Sequence, residues 1–108
     1  MTDHKEILYV TQKQTTAADY LSKGLQILTE RGNQYGSNSR ECSFPQVAEA
    51  FNAITGNELS GSDVCMILAL LKLVRQSAQP DRLHEDSLVD GVNYMALYAE
   101  VLSGELSK

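Results

Sequence analysis

The run VCMILALL, Val64 to Leu71, offers no polar residue to any side of a helix. A helix that is apolar all round is buried all round, or has its exposed side covered by something else. The run is too short to span a bilayer. Ser60 and Asp63 ahead of it have the spacing of a capping box, and Lys72, Arg75 and Gln76 follow it, so a helix is predicted from about Gly61 to Ser77. The whole chain has 108 residues, enough for one core and not for two.

Three more helices are predicted around this one. Thr16 and Asp19 form a capping spacing, Leu21, Leu25 and Leu28 form a stripe, and Gly32 suits a helix end; together they predict a helix from Thr16 to Arg31. A second helix is predicted from Phe44 to Thr55. Ser43 and Gln46 open it, Pro45 sits in its first turn, Gly56 closes it, and Phe44, Val47, Ala48, Phe51 and Ile54 form its buried face. The last is predicted from Glu85 or Asp86 to Ser103, with Gly104 as its stop. Its main stripe is Leu88, Val92, Met95, Ala99 and Leu102; the opposite side begins with Asp86, Asp90 and Asn93 and turns apolar at Leu97 and Val101. No useful strand alternation and no repeat occur.

The expected fold is therefore all-α: a four-helix bundle-like unit over residues 15–108, preceded by an N-terminal arm, residues 1–14. Two helices that want burial on every side exceed what so small a unit can cover, so a homo-oligomer is expected. The loop RGNQYGSNSREC, with Tyr35 as its anchor, is long for a domain of this size, and long loops are often functional.

Charge and cysteine use narrow the function. A net charge of −5 argues against duplex nucleic acid, whose binders need a basic footprint, and against a basic membrane-surface helix. Cys42 and Cys65 belong to no zinc spacing; Cys65 reads as a small core residue. There is no secretory signal, so the expected location is the cytoplasm, of a cell or of an infected cell. No Walker loop or dinucleotide fingerprint occurs, and neither Ser87 nor Cys65 has a nucleophile motif around it.

The segment KLVRQSAQPDRLHEDSLVD, Lys72 to Asp90, carries the densest polar chemistry. The link AQPDRLH is short enough to make the last two helices antiparallel neighbours. Counting outward from the turn sets Lys72 level with Asp90 and Gln76 level with Asp86, with Arg75 half a turn away. Three readings follow. Asp86 caps the last helix while Asp90 pairs with Lys72. Or Asp86 and Asp90, with another carboxylate such as Glu49, hold Mg²⁺, which needs few protein ligands when phosphates supply the rest. Or Lys72 and Arg75 hold a ligand phosphate, with the acids orienting them. His84 reads as a loop or helix-start residue.

The stretches ERGNQYG, DVCMILALLKLVR and HEDSLVDGVNYMAL together resemble a small family of phage and prophage proteins, over about Gly24 to Glu100. That family looks distantly similar to MazG-like all-α nucleoside triphosphate pyrophosphatases. The resemblance implies an oligomer and a nucleotide-like ligand. MazG-like enzymes hold Mg²⁺ with a glutamate-rich helix and a second helix carrying an E-x-x-D pair. Asp86 and Asp90 stand in for that pair with one residue more between them, and the glutamate-rich half is missing here.

The expected function is a phage-type oligomeric protein that binds a nucleotide or nucleotide-like phosphate ligand, with Mg²⁺-dependent pyrophosphohydrolysis as its enzymatic form. Lys72, Arg75, Tyr35 and Asn93 would bind the ligand, Tyr35 by stacking on a base; Asp86, Asp90 and Glu49 would hold the metal. The alternative is a non-enzymatic phage protein that sequesters a nucleotide signal of host defence or binds a host protein.

Overall fold

The computed structural model describes residues 14–35 and 43–107, the side chains of residues 32–35 excepted. The arm, apart from Gln14, therefore lies outside the described residues, as do Cys42 and the loop from Gly36. The described residues form four helices and no strand: α1 (Ala17–Tyr35), α2 (Ser43–Thr55), α3 (Gly61–Ser77) and α4 (Glu85–Leu106). None is long and apolar enough to cross a membrane.

The helix starts follow the capping chemistry. At α1 the Thr16 N–H donates to Asp19 Oδ2 (3.0 Å) and the Asp19 N–H to Thr16 Oγ1 (3.2 Å). At α3, Ser60 and Asp63 form the same reciprocal box. Gly56, the only positive-φ residue described (φ 77°), ends α2, and its N–H donates to Asn52 O (2.8 Å). Asn52 then clamps the link to α3: its Nδ2 donates to Leu59 O (2.9 Å) and its Oδ1 accepts from the Leu59 N–H (2.8 Å).

Two predicted ends fail. α1 runs through Gly32 to Tyr35, and α4 runs through Gly104 to Leu106. A helical glycine costs only about 1 kcal/mol against alanine, so glycine permits an end without forcing one. The last turn of α4 has its own tether. Glu105 accepts from the Ser62 N–H (3.1 Å) and from Ser62 Oγ (2.7 Å), satisfying a free amide at the start of α3.

Helix α4 is the centre: α3 packs along it antiparallel, α1 packs on it as well, and α2 packs on α3. The core gathers where α2, the first half of α3 and the second half of α4 meet. Phe44, Ala48, Val64, Cys65 and Leu97 are buried there, and Leu28, Leu59, Leu68, Tyr94, Tyr98 and Val101 pack against them. Phe44 and Tyr94 meet edge to face, centroids 6.4 Å apart.

The predicted apolar stripes are only partly in this core. On α2, Phe44 and Ala48 are buried, whereas Val47, Phe51 and Ile54 are exposed. On α1, Leu21 and Leu25 are exposed, and the residue buried against α4 is Gly24. On α4 the buried positions are Ser87, Val89, Asn93 and Leu97, while Met95 of the predicted main stripe is exposed. The reason is shared. α1 and α3 each pack on α4 but not on one another, so no described helix covers their facing sides.

Candidate functional site

The α3–α4 turn is held by Gln76. Its Nε2 donates to Gln79 O (3.3 Å) and Arg82 O (2.8 Å), and its Oε1 accepts from the His84 N–H (2.7 Å). Gln76 is thus spent on the turn rather than on Asp86. With the turn closed this way, Lys72 Nζ lies 3.1 Å from Asp90 Oδ2, with the two side chains 14% and 27% exposed. The register counted from the sequence is the register of the fold.

Arg75 and Asp86, expected beside this pair, do not join it. Arg75 is exposed. Asp86 is not the cap of α4: the N-cap is His84, which makes no side-chain cap bond and instead sets Nδ1 3.2 Å from Ser87 Oγ. Asp86 lies one turn before Asp90, in the first turn of α4, where an acid is favoured by the helix dipole.

Asp86 and Asp90 open instead toward α1. They line a cleft of about 430 Å³ between α1 and α4, together with Glu85 from α4 and Lys23 and Glu30 from α1. Lys23 pairs with Glu85 across the cleft and lies 5.8 Å from the Tyr20 ring centroid. The hydrogen bond to Glu85 is the main cause holding the Lys23 ammonium above the usual lysine range. Gln26 Nε2 donates to Glu30 Oε2 (3.3 Å). The cleft therefore gathers four carboxylates about one ammonium, with Lys72 reaching Asp90 from α3.

Glu30, Glu85 and Lys23 were not among the expected site residues. A signal for the α1 pair was present: Lys23, Gln26, Ile27 and Glu30 recur at helical spacing beside Gly24, the residue on which α1 seats. The three-leucine stripe overshadowed it.

The remaining expected residues are dispersed. Glu49 is exposed on α2, which packs along α3. Among the described residues no group of three His, Cys, Asp or Glu is placed to hold a metal ion, so Glu49, Asp86 and Asp90 are not brought together as a cage. Tyr35 ends α1, and its side chain lies outside the described residues. Asn93 is 5% exposed in the α1–α4 seam, its Nδ2 without a hydrogen-bond partner among the described residues. Its Oδ1 comes so near Gly24 that a Cβ built there would be 2.6 Å away. Asn93 is thus a seam residue, and Gly24 is what lets the two helices approach.

No curated protein and no solved structure matches this chain. Residues 19–102 match the family described as Domain of unknown function (DUF6378); that span takes in both walls of the cleft and the Lys72–Asp90 pair, and the chain belongs to this family.

Proposed function

We propose that the α1–α4 cleft binds a phosphate ligand of nucleotide type that arrives with its own Mg²⁺. The observation that carries this reading is the Lys72–Asp90 pair at the edge of a carboxylate-lined cleft. The described residues supply no three-carboxylate cage, so the bare ion is not expected to be held. A magnesium-phosphate ligand has different needs. It brings both signs of charge, so Asp90 can exchange Lys72 for the cation while Lys72 exchanges Asp90 for phosphate oxygen. Neither partner is then left as an uncompensated half-buried charge, the costly outcome of one-sided removal. Magnesium keeps most of its ligands as water and phosphate, so one or two carboxylates suffice. The resemblance to phage proteins and MazG-like pyrophosphatases supports the same ligand class.

Calorimetric titration with a panel of nucleoside triphosphates, with and without Mg²⁺, tests the reading, and product analysis of the same mixtures tests hydrolysis. Binding that requires Mg²⁺ and is lost in Asp90→Asn is expected. No heat with any nucleotide, or equal binding by Asp90→Asn, removes the proposal.

A further inference from the structure

On the other side of α4 from the polar cleft runs a groove of about 580 Å³, walled by α1 and α3 and floored by α4. Leu21 stands on one wall, Leu70 and Leu73 on the other, and Leu88, Val92 and Met95 lie along the floor. Because both walls pack on α4 and not on each other, no described helix fills the groove, which has the place of one more helix in a bundle. We propose that its occupant is a second copy of this chain, related by a twofold axis, with α3 of each copy lying in the groove of the other.

Three observations select that occupant. The first is self-complementarity, which an isologous contact requires. A groove of this kind takes a helix with apolar anchors about one turn apart. α3 carries such a ridge beside its own groove wall: Ile67, Leu70, Leu71 and Val74 are 41–62% exposed. The second is charge. The chain carries a net charge of −5, so two copies repel through most of their surface. Among the described residues Lys72 is the only charged one lining the groove, and Asp90 already neutralises it. The third is area. A face one α3 helix long (about 25 Å) and three helices across (about 30 Å) covers on the order of 750 Å² per copy. That is the scale of the ~800 Å² per partner found in stable interfaces.

Sedimentation equilibrium on the full chain tests the proposal independently of any ligand in the cleft. The expected wild-type mass is twice that of the chain at about 100 µM, well above a micromolar Kd. Leu70→Glu should weaken association at least 100-fold while leaving the helical circular dichroism signal unchanged, because Leu70 is half exposed in the single chain. Since α3 meets α3 across the twofold axis, mixing Leu70→Glu with Leu70→Lys should restore a mixed dimer that neither forms alone. A monomeric wild type overturns the proposal, as does a dimer that survives Leu70→Glu. A monomeric chain that dimerises only after removal of residues 1–13 would show the arm to be the occupant, which also overturns it.

Discussion

The two halves of α3 are built from the same kind of residue and meet different fates. In the first half Gly61, Ser62, Val64, Cys65 and Ala69 are buried, and only Met66 and Ile67 are exposed, at 41% and 51%. In the second half Leu70, Leu71, Leu73 and Val74 are 41–62% exposed. What differs is the neighbourhood. Pro45 of α2 and Val101 of α4 close over Gly61 so tightly that a Cβ built there would lie 3.2–3.3 Å from them, and Glu105 bonds to Ser62. Among the described residues the second half has only the start of α4 beside it, with α1 across the groove. Apolarity states a demand for cover; the described neighbours satisfy it for most of the first half of this helix and leave it standing for the second.

The sharpest way to break that comparison is to cut equally into both halves. Phe44→Ala removes the ring that α2 lays over the covered half, 3% exposed and in edge contact with Tyr94. It should destabilise by about 3–5 kcal/mol in urea unfolding. Leu73→Ser in the open half should shift the unfolding of the single chain, measured at dilution, by less than about 0.5 kcal/mol. Similar losses for the two would show that the second half is covered within one chain after all.

The boundary between the halves is Lys72. Asp90→Leu leaves its ammonium half-buried and alone, and should cost about 2–3 kcal/mol, below the ~3–5 of a fully buried pair because Asp90 is 27% exposed. Lys72→Met added to Asp90→Leu should recover most of that loss, so a double-mutant cycle would show a coupling above about 1 kcal/mol. Additive losses would mean the pair does not lock the hairpin. Smaller again, Glu105→Ala withdraws the acceptor at the start of α3 and should cost about 1 kcal/mol by thermal unfolding, the scale of a lost cap.

Much of this arrangement is legible in the sequence, and the part that is not has one cause. The capping boxes at Thr16 and Ser60, the stop at Gly56 and the Lys72–Asp90 register depend on residues near in sequence or on a count from one turn. They follow from local geometry. The direction in which a stripe faces depends on which helices meet. Leu21, Leu88 and Met95 read as core because apolar periodicity marks a face to be covered, not the element that covers it. The same limit hid the cleft. Asp86 and Asp90 stood out because they are neighbours in sequence, whereas Glu30 joins them only because Gly24 seats α1 against Asn93. The reading that makes Asp86 the cap of α4 fails because the helix starts at Glu85 and its N-cap is His84.

The two lysine–carboxylate pairs whose acids line the cleft offer the finest comparison. Lys23–Glu85 spans α1 and α4 with side chains 42% and 44% exposed; Lys72–Asp90 spans α3 and α4 at 14% and 27%. Salt screens exposed charges over about 10 Å at ~0.1 M and about 3 Å at ~1 M, and buried pairs much less. The effect of Lys23→Met on the unfolding midpoint should therefore fade as sodium chloride is raised, while that of Lys72→Met persists. The Lys23 ammonium is held above its ordinary range by Glu85. Its contribution is accordingly complete below the unfolded lysine value near 10.5 and declines as pH rises through the folded one. Unfolding midpoints at low salt for wild type and Lys23→Met should converge at the alkaline end. If they stay apart there, or if salt leaves the Lys23 difference intact, α1 is held to α4 by Gly24 and its apolar neighbours with no share from the ion pair.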